Sequence, residues 1–172
     1  MELQGKKIAI LLEQLYEDPE FWYPYYRLME AGAQVTVVAP EAREYKSKYG
    51  YPATADLAAK DVKAEHYDAV VIPGGYSPDH MRRSSELIGF VKNAFEKEKV
   101  IAAICHGPWI LASVGAVKGR KVTAFYSIKD DLINAGADFV DREVVRDKNV
   151  ITSRMPRDLP AFCREIIAAL GE

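Results

Sequence analysis

Cys105 and His106 stand side by side at the end of the apolar run Lys99-Val-Ile-Ala-Ala-Ile104, and Gly107-Pro108 follow at once. Such a run reads as a buried strand, and Pro108 presets helical φ, so a helix begins around it. The layout is that of a nucleophile elbow. A side chain on so tight a turn projects above the carboxyl ends of the strands, where open α/β sheets bind ligands. Gly107 relieves crowding in the turn, and a helix N-terminus offers positive potential that lowers a thiol's pKa. The expected species at Cys105 is a thiolate near neutral pH. Most free cysteines are instead small buried hydrophobes, and Cys163 reads that way, because it lies within the apolar stripe of Phe162, Ile166 and Ile167.

Two other segments could meet that thiolate. In Ile72-Pro-Gly-Gly75 an apolar run breaks into two glycines. Without Cβ atoms the backbone can present N–H groups, so Gly75 is a candidate oxyanion donor beside the N–H of His106, with Gly74 and Gly107 lining the same place. Glu13 to Glu20 is rich in carboxylates. Asp18 and Glu20 read as residues opposing a helix dipole, whereas Glu17, just before the cap, could point across the strand ends toward Cys105. An ionised Glu17 would repel a thiolate, and a protonated one would donate to it, so the pair would share one negative charge.

Other chemistries are excluded by what is missing. Of three histidines, His66 and His80 lie in polar surroundings, and none follows His106 to complete a Cys, His and Glu triad of the glutamine amidotransferase kind. The sequence has no Gly-x-Ser-x-Gly, P-loop or Gly-x-Gly-x-x-Gly, and its Cys and His spacings match no zinc signature, so neither cofactor nor metal is expected. With 23 Lys and Arg against 25 Asp and Glu and no basic stripe, nucleic acid is not an expected partner. The apolar runs, such as Ile8 to Leu12, are far short of the ~18 residues that cross a bilayer. Met1 to Lys7 leads straight into a strand pattern with no cleavage site, which makes the cytoplasm the expected compartment.

The elements that must hold these residues read as an α/β sandwich around a mostly parallel sheet. Lys7–Leu12, Gln34–Ala39, Asp68–Pro73 and Lys99–Ile104 are strands covered on both faces. A helix capped by Asp18, with Pro19 at its first position and a kink at Pro24, ends at Gly32. A second follows Ser84 or Ser85, a third runs from Ser127 to Ala135, and a fourth starts after Asp158. Lys48-Tyr-Gly-Tyr51 turns a small hairpin, and Val122–Phe125, Phe139–Val145 and Asn149–Ser153 are short strands. The 172 residues suit one domain that buries ~70% of its unfolded surface.

Taken together, Glu17-Asp18 with Tyr23-Pro-Tyr25, Ile72-Pro-Gly-Gly75, Ala103-Ile-Cys-His-Gly-Pro108, Ile128-Lys-Asp-Asp131 with Asn134-Ala-Gly136, and Ser153-Arg-Met-Pro-Arg-Asp-Leu159 resemble the PfpI family of the ThiJ/PfpI superfamily across nearly the whole chain. The resemblance implies the flavodoxin-type, class I glutamine amidotransferase-like sandwich. It also implies a reactive Cys105, a glutamate at Glu17 bonded to it, His106 beside it, and backbone donors from Gly75 and His106. Family members are described as intracellular proteases, cofactor-independent glyoxalases, protein deglycases and stress proteins, and the superfamily includes redox sensors and chaperones. Protease-type members orient the histidine with a Glu from a neighbouring subunit, and the matching position here is Asp79, shorter by one methylene. A homodimer or hexamer is expected. The function expected from the residues and the resemblance is that of a cysteine enzyme acting on reactive carbonyls, free or on glycated protein, with a peptidase or a redox sensor and holdase as the alternatives.

Overall fold

The computed structural model describes residues 1–171. Seven strands form one sheet in the order Val144–Asp147, Val150–Ser153, Val100–Ile104, Ala69–Ile72, Lys7–Leu11, Gln34–Ala39 and Leu57–Ala58. All neighbours are parallel except the edge strand Val144–Asp147, which pairs antiparallel with Val150–Ser153. Two small ladders lie outside this sheet: the hairpin Glu44–Lys46 with Pro52–Thr54, and Lys121–Val122 with Asp138–Phe139.

Alternating side chains of the central strands go to opposite faces, and each face has its own apolar layer. Ile8, Ile10, Ala102 and Ile104 pack with Phe21 and Leu28 of the helix Asp18–Glu30 and with Phe162, Cys163 and Ile166 of the helix Leu159–Gly171. Ala9, Leu11, Ile101 and Ala103 pack with Leu87, Phe90 and Val91 of Ser85–Glu96 and with Ile110 and Leu111 of Pro108–Ser113. Coverage on both faces is why these strands are continuous apolar runs rather than alternating ones. Cys163 is 1% exposed, and burial pushes its thiol up to about 12.

Several local expectations are corrected. The first helix is capped at Glu17, with Asp18 already helical, and it runs through Pro24 to Glu30. Asp158 does not cap the last helix; it ends a 3-10 turn, and its carboxylate receives Arg154 at 2.9 Å and 3.1 Å. The stretch Phe139–Val145 is not one strand. Phe139 ends the ladder on Lys121–Val122, and a separate strand begins at Val144 to pair with Val150–Ser153. Ser84 does cap its helix, its hydroxyl accepting from the Leu87 N–H at 3.2 Å.

The chain order places strand Gln34–Ala39 on one side of Lys7–Leu11 and strand Ala69–Ile72 on the other. Successive connections therefore diverge at this point, and a crevice opens at the carboxyl ends of the strands. The loops after Lys7–Leu11, Ala69–Ile72 and Val100–Ile104 all end there.

Candidate active site

Cys105 directly follows the strand Val100–Ile104 and has φ +62°, a left-handed conformation that a non-glycine residue adopts at a cost of about 1–2 kcal/mol. Its backbone is held on both sides, its N–H donating to Ser153 O at 3.1 Å and its O accepting from the Phe125 N–H at 3.0 Å. The bend aims the side chain out of the sheet, yet the residue is only 8% exposed. The backbone N–H groups of Gly75 and His106 both donate to its sulfur.

The glycines divide the work differently from expectation. Gly75 has φ +75° and bridges to Tyr16, and a Cβ there would sit 2.6 Å from Glu17 N and Leu15 O. Gly74 does not face a substrate with its N–H, which donates instead to Glu20 Oε2 at 2.8 Å. The Gly107 N–H is likewise occupied, donating to Ile104 O at 2.8 Å. Its lack of a side chain is what matters, because a Cβ at Gly107 would meet Ile72 O at 2.6 Å.

The carboxylate beside the sulfur belongs to Glu20. Glu17 points away and pairs with Lys48 Nζ at 2.8 Å, across to the hairpin turn. Glu20 is fully buried beside Cys105, and its Oε1 has no hydrogen-bond partner among the described residues. The helical period explains the exchange: Glu20 shares the buried face of its helix with Phe21, Pro24 and Leu28, while Glu17 sits at the cap. That register was the available signal, and reading Glu20 as a surface carboxylate opposing the dipole overlooked it.

Burial pushes the Glu20 carboxyl up to about 8, against the pull of the Gly74 N–H. It is therefore protonated through neutral pH. Burial, together with repulsion from Glu20 whenever that group is ionised, pushes the Cys105 thiol up, while the Gly75 and His106 N–H groups pull it down. A helix tip alone does not make the thiolate here. Burial thus works against the thiolate expected from the sequence, and any negative charge on the sulfur requires the proton to stay on Glu20.

The imidazole of His106 lies with Nδ1 3.2 Å from Cys105 Sγ and Nε2 3.2 Å from Ser127 Oγ. Its ring stacks on Phe125 and meets Trp109 edge-on. Burial and the nearby Lys48 ammonium lower its pKa, so it is neutral at pH 7. Lys48 reaches the site because the hairpin is stitched to the loop after the first strand, through Lys48 N–H to Tyr16 O at 3.0 Å and Leu15 N–H to Lys46 O at 2.8 Å. Sequence reasoning missed Lys48 and Ser127 as neighbours of the site, since both contacts join segments far apart in the chain.

Asp79, within this chain, pairs with Arg83 at 2.7 Å on an exposed surface. His66 is exposed and ends a 3-10 turn, and His80 sits half-buried on the short helix Ser77–Met81. Among the described residues no cluster of three His, Cys, Asp or Glu side chains could hold a metal ion. No described helix is long and apolar enough to cross a membrane.

Residues 6–169 match the DJ-1/PfpI family. The chain belongs to this family. It is 42% identical over 164 residues to the Pyrococcus furiosus protein named Deglycase PfpI, covering 95% of this chain and 99% of that one. It is 43% identical over 169 residues to General stress protein 18 of Bacillus subtilis, covering 96% and 98%. Among solved structures, Drosophila melanogaster DJ-1beta superimposes with a TM-score of 0.91 at 30% identity, over 98% of this chain and 91% of that one. Family membership agrees with the mostly parallel sheet and its two covering layers, as the resemblance read from the motifs implies.

Proposed function

We propose that the chain is a cysteine enzyme that hydrolyses or isomerises adducts of reactive dicarbonyls, either free glyoxals or their early products on protein. The carrying observation is the sulfur of Cys105 set against two backbone N–H donors, an imidazole nitrogen and a carboxyl that burial keeps protonated. The name of the Pyrococcus furiosus relative points to the same substrate class.

In this reading the Cys105 sulfur adds to the aldehyde carbon of a 2-oxoaldehyde, forming the C–S bond of a hemithioacetal. The carbonyl electrons go to oxygen, which the Gly75 and His106 N–H groups can receive, and a proton from Glu20 neutralises it. A base then removes the former aldehyde hydrogen. His106 Nδ1 and the Glu20 carboxylate are the groups within reach of the sulfur. Returning that proton to the neighbouring carbon gives a thioester of a 2-hydroxy acid. Water cleaves the thioester, its hydroxyl going to the acyl carbon of the released acid and its proton to Glu20, which restores the sulfur anion and the protonated carboxyl. The net change is addition of one water to the dicarbonyl, with no outside oxidant or reductant.

The test pairs methylglyoxal turnover by Cys105→Ala with the pH dependence of Cys105 alkylation. Loss of turnover and an alkylation midpoint below the ~8.5 of a free thiol are expected. Full turnover in the variant, from protein purified in parallel, overturns the reading.

A further inference from the structure

The loop after strand Ala69–Ile72 contains two adjacent glycines, and a single peptide unit joins them. That unit is trans, so its polar ends point in opposite directions: the Gly75 N–H goes to the Cys105 sulfur and the Gly74 carbonyl faces away from it. Glycine tolerates positive and negative φ alike, and Gly75 sits at +75°. Turning the unit over changes only ψ of Gly74 and φ of Gly75, with no Cβ at either residue to oppose it. The backbone alone therefore does little to keep a donor, rather than a carbonyl oxygen, against the sulfur.

The peptide units on either side are anchored by their own N–H groups, Gly74 to Glu20 Oε2 at 2.8 Å and Tyr76 to Leu15 O at 2.9 Å. Away from the sulfur, the unit between them is fixed through its carbonyl. Gly74 O accepts the Ser77 hydroxyl at 2.9 Å and, at 3.4 Å, the Glu17 N–H. The second contact is longer than the ~3.2 Å upper end of an ordinary N–H to oxygen bond. A carbonyl oxygen has no proton to give, so the direction of the Ser77 bond is fixed. Ser77 is 0% exposed, and bulk water cannot stand in for its hydroxyl.

We infer that Ser77 is a positioning residue for this site: by donating to the Gly74 carbonyl, its hydroxyl locks the Gly74–Gly75 peptide with the Gly75 N–H toward the Cys105 sulfur. The inference rests on reading Cys105 as the reactive sulfur. In that reading the same N–H receives the oxyanion, so a turned peptide would set a carbonyl lone pair where negative charge forms. The loop is packed directly on the elbow, since a Cβ at Gly74 would lie 2.7 Å from Cys105 Cβ, and a small rotation of the peptide is felt at the sulfur. Ser77 thus supports a donor without touching substrate and without adding charge. The titratable and charged groups around the sulfur, Glu20 and His106 with Lys48 and Glu17 behind them, keep their own partners when the Ser77 hydroxyl is removed.

The experiment compares the full chain as wild type, Ser77→Ala and Thr123→Val. Ser77→Ala removes one oxygen, so the chain should still fold, which its melting temperature checks. Thr123→Val is the control, because it takes a hydroxyl with no hydrogen-bond partner among the described residues from an equally buried place. Iodoacetamide rates across pH read the Cys105 midpoint, and NMR-detected hydrogen exchange reads the Gly75 and Tyr76 amides separately. In Ser77→Ala the midpoint should rise by about one pH unit and alkylation at pH 7 slow about tenfold, the loss of one hydrogen bond to an anion. The Gly75 amide should exchange about tenfold faster while Tyr76, still bonded to Leu15 O, keeps its wild-type rate. Thr123→Val should match the wild type in both. An unchanged midpoint in Ser77→Ala, equal acceleration at Gly75 and Tyr76, or the same rise in Thr123→Val overturns the inference. None of these readouts needs turnover, so failure of the dicarbonyl reading leaves them interpretable. If the wild-type sulfur did not alkylate at all, the enzymatic reading would fall and the two amides alone would decide whether Ser77 holds the peptide.

Discussion

The carboxyl of Glu20 reaches Cys105 from the first turn of a helix while its Oε2 accepts the Gly74 N–H at 2.8 Å. One buried acid is thus anchored by a loop from one strand and turned toward the elbow of another. If its proton stabilises the sulfur anion, Glu20→Ala should raise the alkylation midpoint of Cys105 by about 1–2 pH units, the worth of one charge-assisted hydrogen bond. Glu20→Gln keeps a donor and should stay near wild type at neutral pH. Iodoacetamide rates across pH 5–10 read both. Two variants with equal midpoints would mean that the carboxyl does not hold the thiolate.

The same residue should make stability depend on pH in an unusual direction. Its folded pKa, about 8, lies above the ordinary 4.5, so the folded state binds the proton more tightly than the unfolded one. Its contribution is complete below about pH 4.5, declines as pH rises, and is gone above about pH 8. Denaturant unfolding at pH 5.5 and pH 9 should show a loss on the order of a few kcal/mol in the wild type, and a smaller loss in Glu20→Gln, whose side chain cannot ionise. Equal losses in both proteins would place the pH dependence elsewhere.

The fold and the elbow were legible because local pattern and global packing agree there. The doubly covered strands read as unbroken apolar runs, and Cys105 to Pro108 could hardly be anything other than a strand-to-helix turn. What misled was polarity taken as a sign of exposure. Glu20 lies in helical register with Phe21, Pro24 and Leu28, but a carboxylate in a first turn commonly faces solvent and opposes the dipole, so its type points away from the burial that its register implies. Lys48 and Ser127 carried no local signal at all. Their places depend on the hairpin and on the turn after Thr123-Ala-Phe125 folding over the strand ends, which are long-range facts. Asp158 misled in a related way, because Arg154 competes for it more strongly than the helix amides do.

Lys48 lowers the His106 pKa through its charge and is itself held up by Glu17. Lys48→Met removes the ammonium but keeps most of the apolar stem. The His106 pKa should then rise, since the repelling cation is gone and Glu17 is left with an unpaired charge. A proton NMR titration of the His106 ring reads the shift directly. No rise would mean that solvent already screens the pair, and that burial alone keeps the imidazole neutral.

Two glycines with opposite surroundings test how tightly the elbow is packed. A Cβ at Gly107 would lie 2.6 Å from Ile72 O and 2.8 Å from Ile104 O, both backbone atoms of strands that meet at the site. Neither can move without shifting its strand, so Gly107→Ala should cost about 1–3 kcal/mol and slow Cys105 alkylation by displacing the turn. Gly89 lies within the helix Ser85–Glu96 and has no atom within 4 Å of the added carbon, so Gly89→Ala should instead stabilise by about 0.5–1 kcal/mol. Denaturant midpoints of the two variants should therefore move in opposite directions from wild type. If Gly107→Ala were as stable and as reactive as the parent, the strand ends would be looser than their contacts require, and the positioning of Cys105 would have to come from its side-chain partners alone.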